Sequence, residues 1–182
     1  MAQILKDIGK CKSAITNALL KNSDIMELLL GKNYTLQQKN HVVYQQIFPY
    51  LYVDETQIET KSYICYEVNI PRIPTATIKD VTICIWCFCH KDIMQVSGYT
   101  KKGYHGSDDR VDILADMVEE TLRDSDDFGI GKLHLDSVSY VYPNKITYGR
   151  QLIYTIADFK PCKVKECIGV TSENTRARNS VH

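Results

Sequence analysis

Residues 106 to 159 constrain the fold more than any other stretch, because they place two strands directly after one helix. Gly106-Ser107-Asp108-Asp109 reads as a helix opening. Ser107 is a capping residue, and the aspartates sit at the positive end of the helix dipole. Val111, Leu114, Val118 and Leu122 then recur at helical spacing, with Ile113 and Met117 widening the stripe. Asp112, Asp116, Glu119, Glu120 and Arg123 cover the other face. The helix is expected to stop near Asp124, and Gly129-Ile130-Gly131 to turn the chain. Leu133, Leu135, Val138 and Tyr140 mark a strand with a phase change at Asp136-Ser137, the signature of a bulge. Pro143-Asn144-Lys145 breaks it, and Gln151 to Ala157 alternates as the next strand.

The N-terminal part is helical. Ile4, Leu5, Ile8, Cys11, Ile15 and Leu19 share one face of a helix from about Gln3 to Lys21. Asn22 or Ser23 caps a short second helix, Ile25 to Leu30, which Gly31 ends. Thr35-Leu36-Gln37-Gln38 has capping-box spacing and opens a third helical segment reaching about Gln46. Phe48-Pro49-Tyr50-Leu51-Tyr52 reads as an extended segment against the core. Ser62 to Ile70 alternates as a strand that Pro71 and Pro74 end. Val81 to His90 is apolar at almost every position, so both of its faces are expected to be covered. Strands therefore come in hairpin pairs and do not alternate with helices. That pattern predicts an α+β fold: a mainly antiparallel four-stranded sheet of two hairpins, with helices packed on one face. Residues 1 to 160 form the single domain, and 161 to 182 read as a flexible C-terminal tail.

Motifs for chemistry are weak. Cys84, Cys87, Cys89 and His90 have the residue types of a zinc site. On a strand, however, Cys87 and Cys89 face one side and Cys84 the other, so core packing is the ordinary reading. Asp108, Asp109, Asp112, Asp116, Glu119 and Glu120 resemble a magnesium-binding set, but a solvated helix face has the same spacing. No nucleophile motif is present, and His41, His90, His105, His134 and His182 are scattered. Gly129-Ile130-Gly131 lacks the lysine and the following helix of a phosphate loop. Twenty-two basic residues balance twenty-two acidic ones, so charge gives no reason to expect nucleic-acid wrapping. The first residues do not read as a secretory signal, and no run has the length of a membrane helix. Free thiols in a reducing cytoplasm are the expectation. Twelve tyrosines against four phenylalanines suit half-buried protein interfaces, and strand composition explains part of that skew.

Several segments together resemble tail proteins of tailed bacteriophages. They are Ile47-Phe48-Pro49-Tyr50, Cys89-His90-Lys91-Asp92, Arg110-Val111-Asp112-Ile113-Leu114-Ala115-Asp116, Gly129-Ile130-Gly131-Lys132-Leu133, Tyr148-Gly149-Arg150-Gln151-Leu152-Ile153-Tyr154 and Asp158-Phe159. The class they resemble is the tail terminator, also called the tail-completion or head–tail joining protein. The resemblance implies a non-catalytic virion subunit without cofactor or metal. It implies a homo-oligomeric, hexameric ring that caps the tail tube and meets the neck or connector protein, with the tail sheath as a further neighbour. It implies no membrane and no sequence-specific nucleic-acid partner, synthesis in the cytoplasm of the bacterial host, and a place in the phage tail or neck. Arg72, Ile73, Lys145 and Arg150, at or beside the expected hairpin turns, are the candidate protein-interface residues. Competing readings are a neck protein of the head-completion or stopper kind, a small metal-dependent hydrolase or nuclease using the acidic helix, and a zinc-stabilised binding module.

Overall fold

The computed structural model describes residues 4–51, 59–72, 79–96, 109–123 and 133–159. Three helices come first: α1 (Ile4–Lys21), α2 (Ser23–Leu30) and α3 (Leu36–His41). Strands β1 (Ile47–Phe48), β2 (Ser62–Arg72) and β3 (Lys79–His90) follow, then α4 (Arg110–Arg123), β4 (His134–Asn144) and β5 (Thr147–Phe159). The class is α+β, as the hairpin pairing predicts.

The sheet has five strands in the order β1-β2-β3-β5-β4. The expected four-stranded antiparallel sheet is corrected by β1, which pairs in parallel with β2 through Ile47 with Ile64 and Phe48 with Cys65. Two residues ahead of a proline are too short to show a period, so the strand is invisible in the pattern. The other pairs are antiparallel, with the expected β4 bulge between Leu135 and Ser137.

The termini of the helices have local causes. The Asn22 side chain accepts the backbone N–H groups of Asp24 and Ile25, and Gly31 ends α2 at φ 93°. Thr35 and Gln38 form the expected capping box. The third helix is shorter than its expected end at Gln46. The carbonyl of Val42 accepts from Gln45, Gln46 and Ile47, and Tyr44 takes a φ of 64°, so the chain turns there instead. The buried Gln46 amide then donates to the carbonyls of Leu29 and Ser62, at 2.8 and 2.9 Å. That pair of bonds joins the end of α2 to the start of β2. Strand β2 runs two residues past its expected end, through Pro71, with a register shift between Asn69 and Arg72.

Helices α1, α2 and α4 lie on one face of the sheet. Ile15, Leu19, Ile25, Met26, Ile113, Leu114, Met117 and Val118 are buried against Ile64, Tyr66, Ile83, Ile85, Cys87, Leu152 and Tyr154. The expected α4 stripe is buried throughout. Only one side of β3 is sealed in this way. On the other side Phe88 is buried in a small cluster with Phe48, Tyr63 and Cys65, while Thr82, Cys84 and Trp86 are half-exposed. The expectation of two covered faces is thus corrected. Cysteine and tryptophan at these positions raise the apolar count without requiring a second helix layer.

Candidate functional site

Strand β4 lies at one edge of the sheet, and the helix layer stops one strand short of it. Helix α4 packs chiefly on β3 and β5. Leu152 and Tyr154 on β5 are therefore 1% exposed. Their partners across the ladder are Val138 and Leu135, and Tyr140 pairs with Arg150. Directly paired residues share a sheet face, so these β4 side chains point to the same side as the core. Yet Val138 is 53% exposed, Tyr140 52% and Tyr142 71%. The result is a strip of core-type side chains that nothing described covers.

The strip is held in place. The Tyr140 ring lies 6.3 Å from that of Tyr142 and stacks 6.2 Å from that of Tyr148. The Arg150 guanidinium sits 5.7 Å from the Tyr140 centroid, within range of a cation–π contact. The same guanidinium donates to both carboxylate oxygens of Asp112 in the first turn of α4, at 2.6 and 3.2 Å. This hydrogen-bonded pair raises the pKa of Arg150 above its ordinary value. Arg150 therefore does two things: it ties β5 to α4, and it fixes the ring plane of Tyr140.

A cleft of about 360 Å³ opens between α4 and the overhanging strand. Leu135, Val138 and Leu152 line its apolar side, and Asp112, Asp116 and Glu119 its helix side. Arg123 donates to both oxygens of Glu119, its Nε at 2.6 Å from Oε1. The carboxylates of Asp112 and Glu119 are thus engaged by arginines, which is poor preparation for a divalent cation. Among the described residues, no three histidine, cysteine or acidic side chains converge as a metal site. The arrangement suits a polypeptide laid along β4 better than a small substrate: an open edge, aromatic side chains and a mixed-charge wall.

The expected interface residues do not converge. Lys145 occupies the exposed β4–β5 turn. Arg150 lies four residues beyond that turn, inside β5, and meets α4 instead of solvent at a tip. Arg72 ends β2, and Ile73 lies outside the described residues. The helix opening at 106–109 (apart from Asp109), the glycine turn at 129–131 and the tail at 161–182 also lie outside them. The cysteines behave as the strand period predicts. Cys87 and Cys89 are buried on the helix side, and Cys84 is half-buried on the other. Burial raises the pKa of all three, and that of Cys11 to about 12. These are packing thiols. The buried His90 ring accepts the Asp92 N–H and caps a single 3-10 turn. Val138, Tyr140 and Tyr142 were not distinguishable as a surface in the sequence. Their alternation marks a strand face, and only the reach of α4 decides that the face stays open.

A model of one protein family matches residues 17–156, more than three quarters of the chain. The chain belongs to the YomW family. The family is phage-derived, which agrees with the phage resemblance at that level. The YomW match covers α2 to α4 and nearly all of β4 and β5, so the edge and its aromatic strip lie within the family's span. No curated protein matches the chain. No described helix is long and apolar enough to cross a membrane.

Proposed function

We propose that this YomW-family chain is a structural component of a phage particle that assembles with copies of itself. Its specific role is that of a tail terminator, a closed ring that caps the tail tube and joins it to the neck. The observation that carries this reading is the open edge of β4. Val138, Tyr140 and Tyr142 stand exposed on the sheet face whose β3 and β5 positions Ile83, Ile85, Cys87, Leu152 and Tyr154 are buried. Exposed aromatic residues on an edge strand are the composition of a protein interface. The phage-derived family supplies the setting. The engaged carboxylates of the cleft and the buried thiols favour a non-catalytic role. On this reading the neighbours are the tail tube and neck proteins, and the place of the protein is the virion.

Light scattering of the purified chain, followed by negative-stain imaging, tests this. A ring near six subunits is expected, either alone or on addition of purified tail tubes. A single-chain mass at high concentration that persists with tail tubes present overturns the proposal.

A further inference from the structure

We infer that the open β4 edge receives the β1 end of a second copy of this chain, the corner formed by Tyr44, Tyr50 and Leu51. This rests on the assembly reading above and names the parts that meet.

The sheet ends in exposed aromatic side chains on both sides. Strands β1 and β4 are its two outer strands, so four inter-strand steps, or roughly 19 Å in all, separate them. At the β1 end Tyr44 is 60% exposed, Tyr50 40% and Leu51 42%. The Tyr44 ring lies 6.3 Å from that of Tyr50, which lies 5.7 Å from the ring of buried Phe48 on β1. The backbone of Tyr44 takes a φ of 64°, in the left-handed region, and its N–H donates to the Ile47 carbonyl at 2.8 Å. Non-glycine residues held in that conformation cluster at sites that contact a ligand or partner.

Charge selects this corner as the partner. The β4 side presents Asp112, Asp116 and Glu119 on the helix wall and Asp136 exposed on the strand, four carboxylates against the two guanidiniums of Arg123 and Arg150. From Gly31 to Leu51 the chain has Lys32 and Lys39 and no acidic residue. Lys12 of α1 joins them, its Nζ donating to the Pro49 carbonyl at 2.6 Å. Glu67 meets the corner from β2, where its carboxylate accepts the Leu51 N–H at 3.3 Å. Three lysines against one glutamate leave this end basic. The two surfaces therefore meet with opposite sign, whereas β4 against β4, or corner against corner, sets like charges together.

Topology makes the partner a second copy. The two surfaces differ and lie at opposite ends of one sheet, so one chain can receive a corner and give its own at the same time. Contacts of that kind are head-to-tail, and they close into a ring when the rotation closes. A symmetric contact uses one surface twice and stops at two copies.

The test uses two full-length variants, with folding checked by circular dichroism. One carries Tyr140→Ser and Tyr142→Ser at the receiving edge. The other carries Tyr44→Asn and Leu51→Ser at the corner, since asparagine tolerates the left-handed backbone of that position. By light scattering, each variant alone is expected to remain a single chain under conditions in which the unmodified chain assembles, with tail tubes added if it needs them. Mixed at high concentration, the two variants retain one intact contact between them, so the mass is expected to rise towards two chains and no further. Either variant assembling like the unmodified chain, or a mixture that stays at single-chain mass, overturns the inference. The unmodified chain separates the two failures. Its multi-subunit mass alongside either of those results removes the corner and leaves the assembly reading standing, whereas its single-chain mass, unchanged by tail tubes, removes both.

Discussion

Gly149→Ala is the perturbation whose effect is most directly worked from the structure. Gly149 sits opposite Phe88 in the β3–β5 ladder, and the Phe88 ring lies across it. A Cβ at this position meets Phe88 Cδ1 at 2.5 Å and the Cys87 carbonyl oxygen at 2.6 Å. Non-bonded carbon atoms rest at about 3.5–4.0 Å. The ring therefore has to move by roughly 1 Å, into the cluster of Phe48, Tyr63 and Cys65. The carbonyl belongs to the ladder and yields even less. Overpacking of this kind costs about 1–3 kcal/mol, and the backbone contact puts this case at the upper end. Alanine returns about 0.4–1 kcal/mol by restricting the unfolded chain. The net loss is about 2 kcal/mol, or about 4–8 °C in Tm for a chain of this size. Thermal unfolding followed by circular dichroism reads it. In a Phe88→Ala background the ring contact is gone and the carbonyl contact remains, so the same change should cost less but not nothing. An unchanged or raised Tm for the single variant refutes the pairing of Gly149 with Phe88.

Other outcomes follow from the same contacts. Asn22→Ala removes the α2 cap and the 2.7 Å bond from the Asn22 amide to the Thr121 hydroxyl, so a loss of about 1–2 kcal/mol in urea unfolding is expected. Arg150→Met breaks the Asp112 pair, whose partners are both partly exposed; stability should fall by no more than about 1 kcal/mol, and the salt dependence of the midpoint should weaken. Burial raises the phenol of Tyr66 to about 12 despite its bond with Thr16, against an ordinary value near 10. The folded chain then keeps a proton that the unfolded chain releases, so this contribution is complete below pH 10 and is lost as pH rises from about 10 towards 12. Denaturant midpoints across that range should fall for the wild type, and less steeply for Tyr66→Phe.

Much of the fold is legible in the sequence because its elements announce themselves by period. The α4 stripe, the capping box at Thr35, the Gly31 stop and the bulge near Asp136 each rest on a local rule, and each is present. Where the reading departs from the structure, a long-range contact decides. Gln46 leaves a helix because two carbonyls, of Leu29 and Ser62, claim its amide. β1 exists because Ile64 and Cys65 give it a partner. Arg150, read as a residue near a turn, is drawn onto α4 by Asp112, thirty-eight positions away. The site was hardest to see for the same reason. Val138-Ser139-Tyr140-Val141-Tyr142 looks like any strand with one buried face.

The size of the open strip limits how assembly can proceed. Tyr140 and Tyr142 are 52% and 71% exposed. A tyrosine offers roughly 200 Å², so the two leave about 250 Å² uncovered. At about 25 cal/mol per Å², complete burial contributes at most about 6 kcal/mol. Association of two bodies costs about 4–15 kcal/mol in lost freedom, which offsets most or all of that gain, so the two tyrosine rings alone hold a pair weakly at best. Backbone bonds along β4 add to it, and in the ring proposed above closure adds more. The last subunit of a ring forms two contacts while losing its freedom once. A chain with this edge is therefore expected to pass from single subunits to closed rings over a narrow concentration range, with few open intermediates. On that proposal, an edge weak singly and strong in a circle keeps free subunits from aggregating before their partners are present.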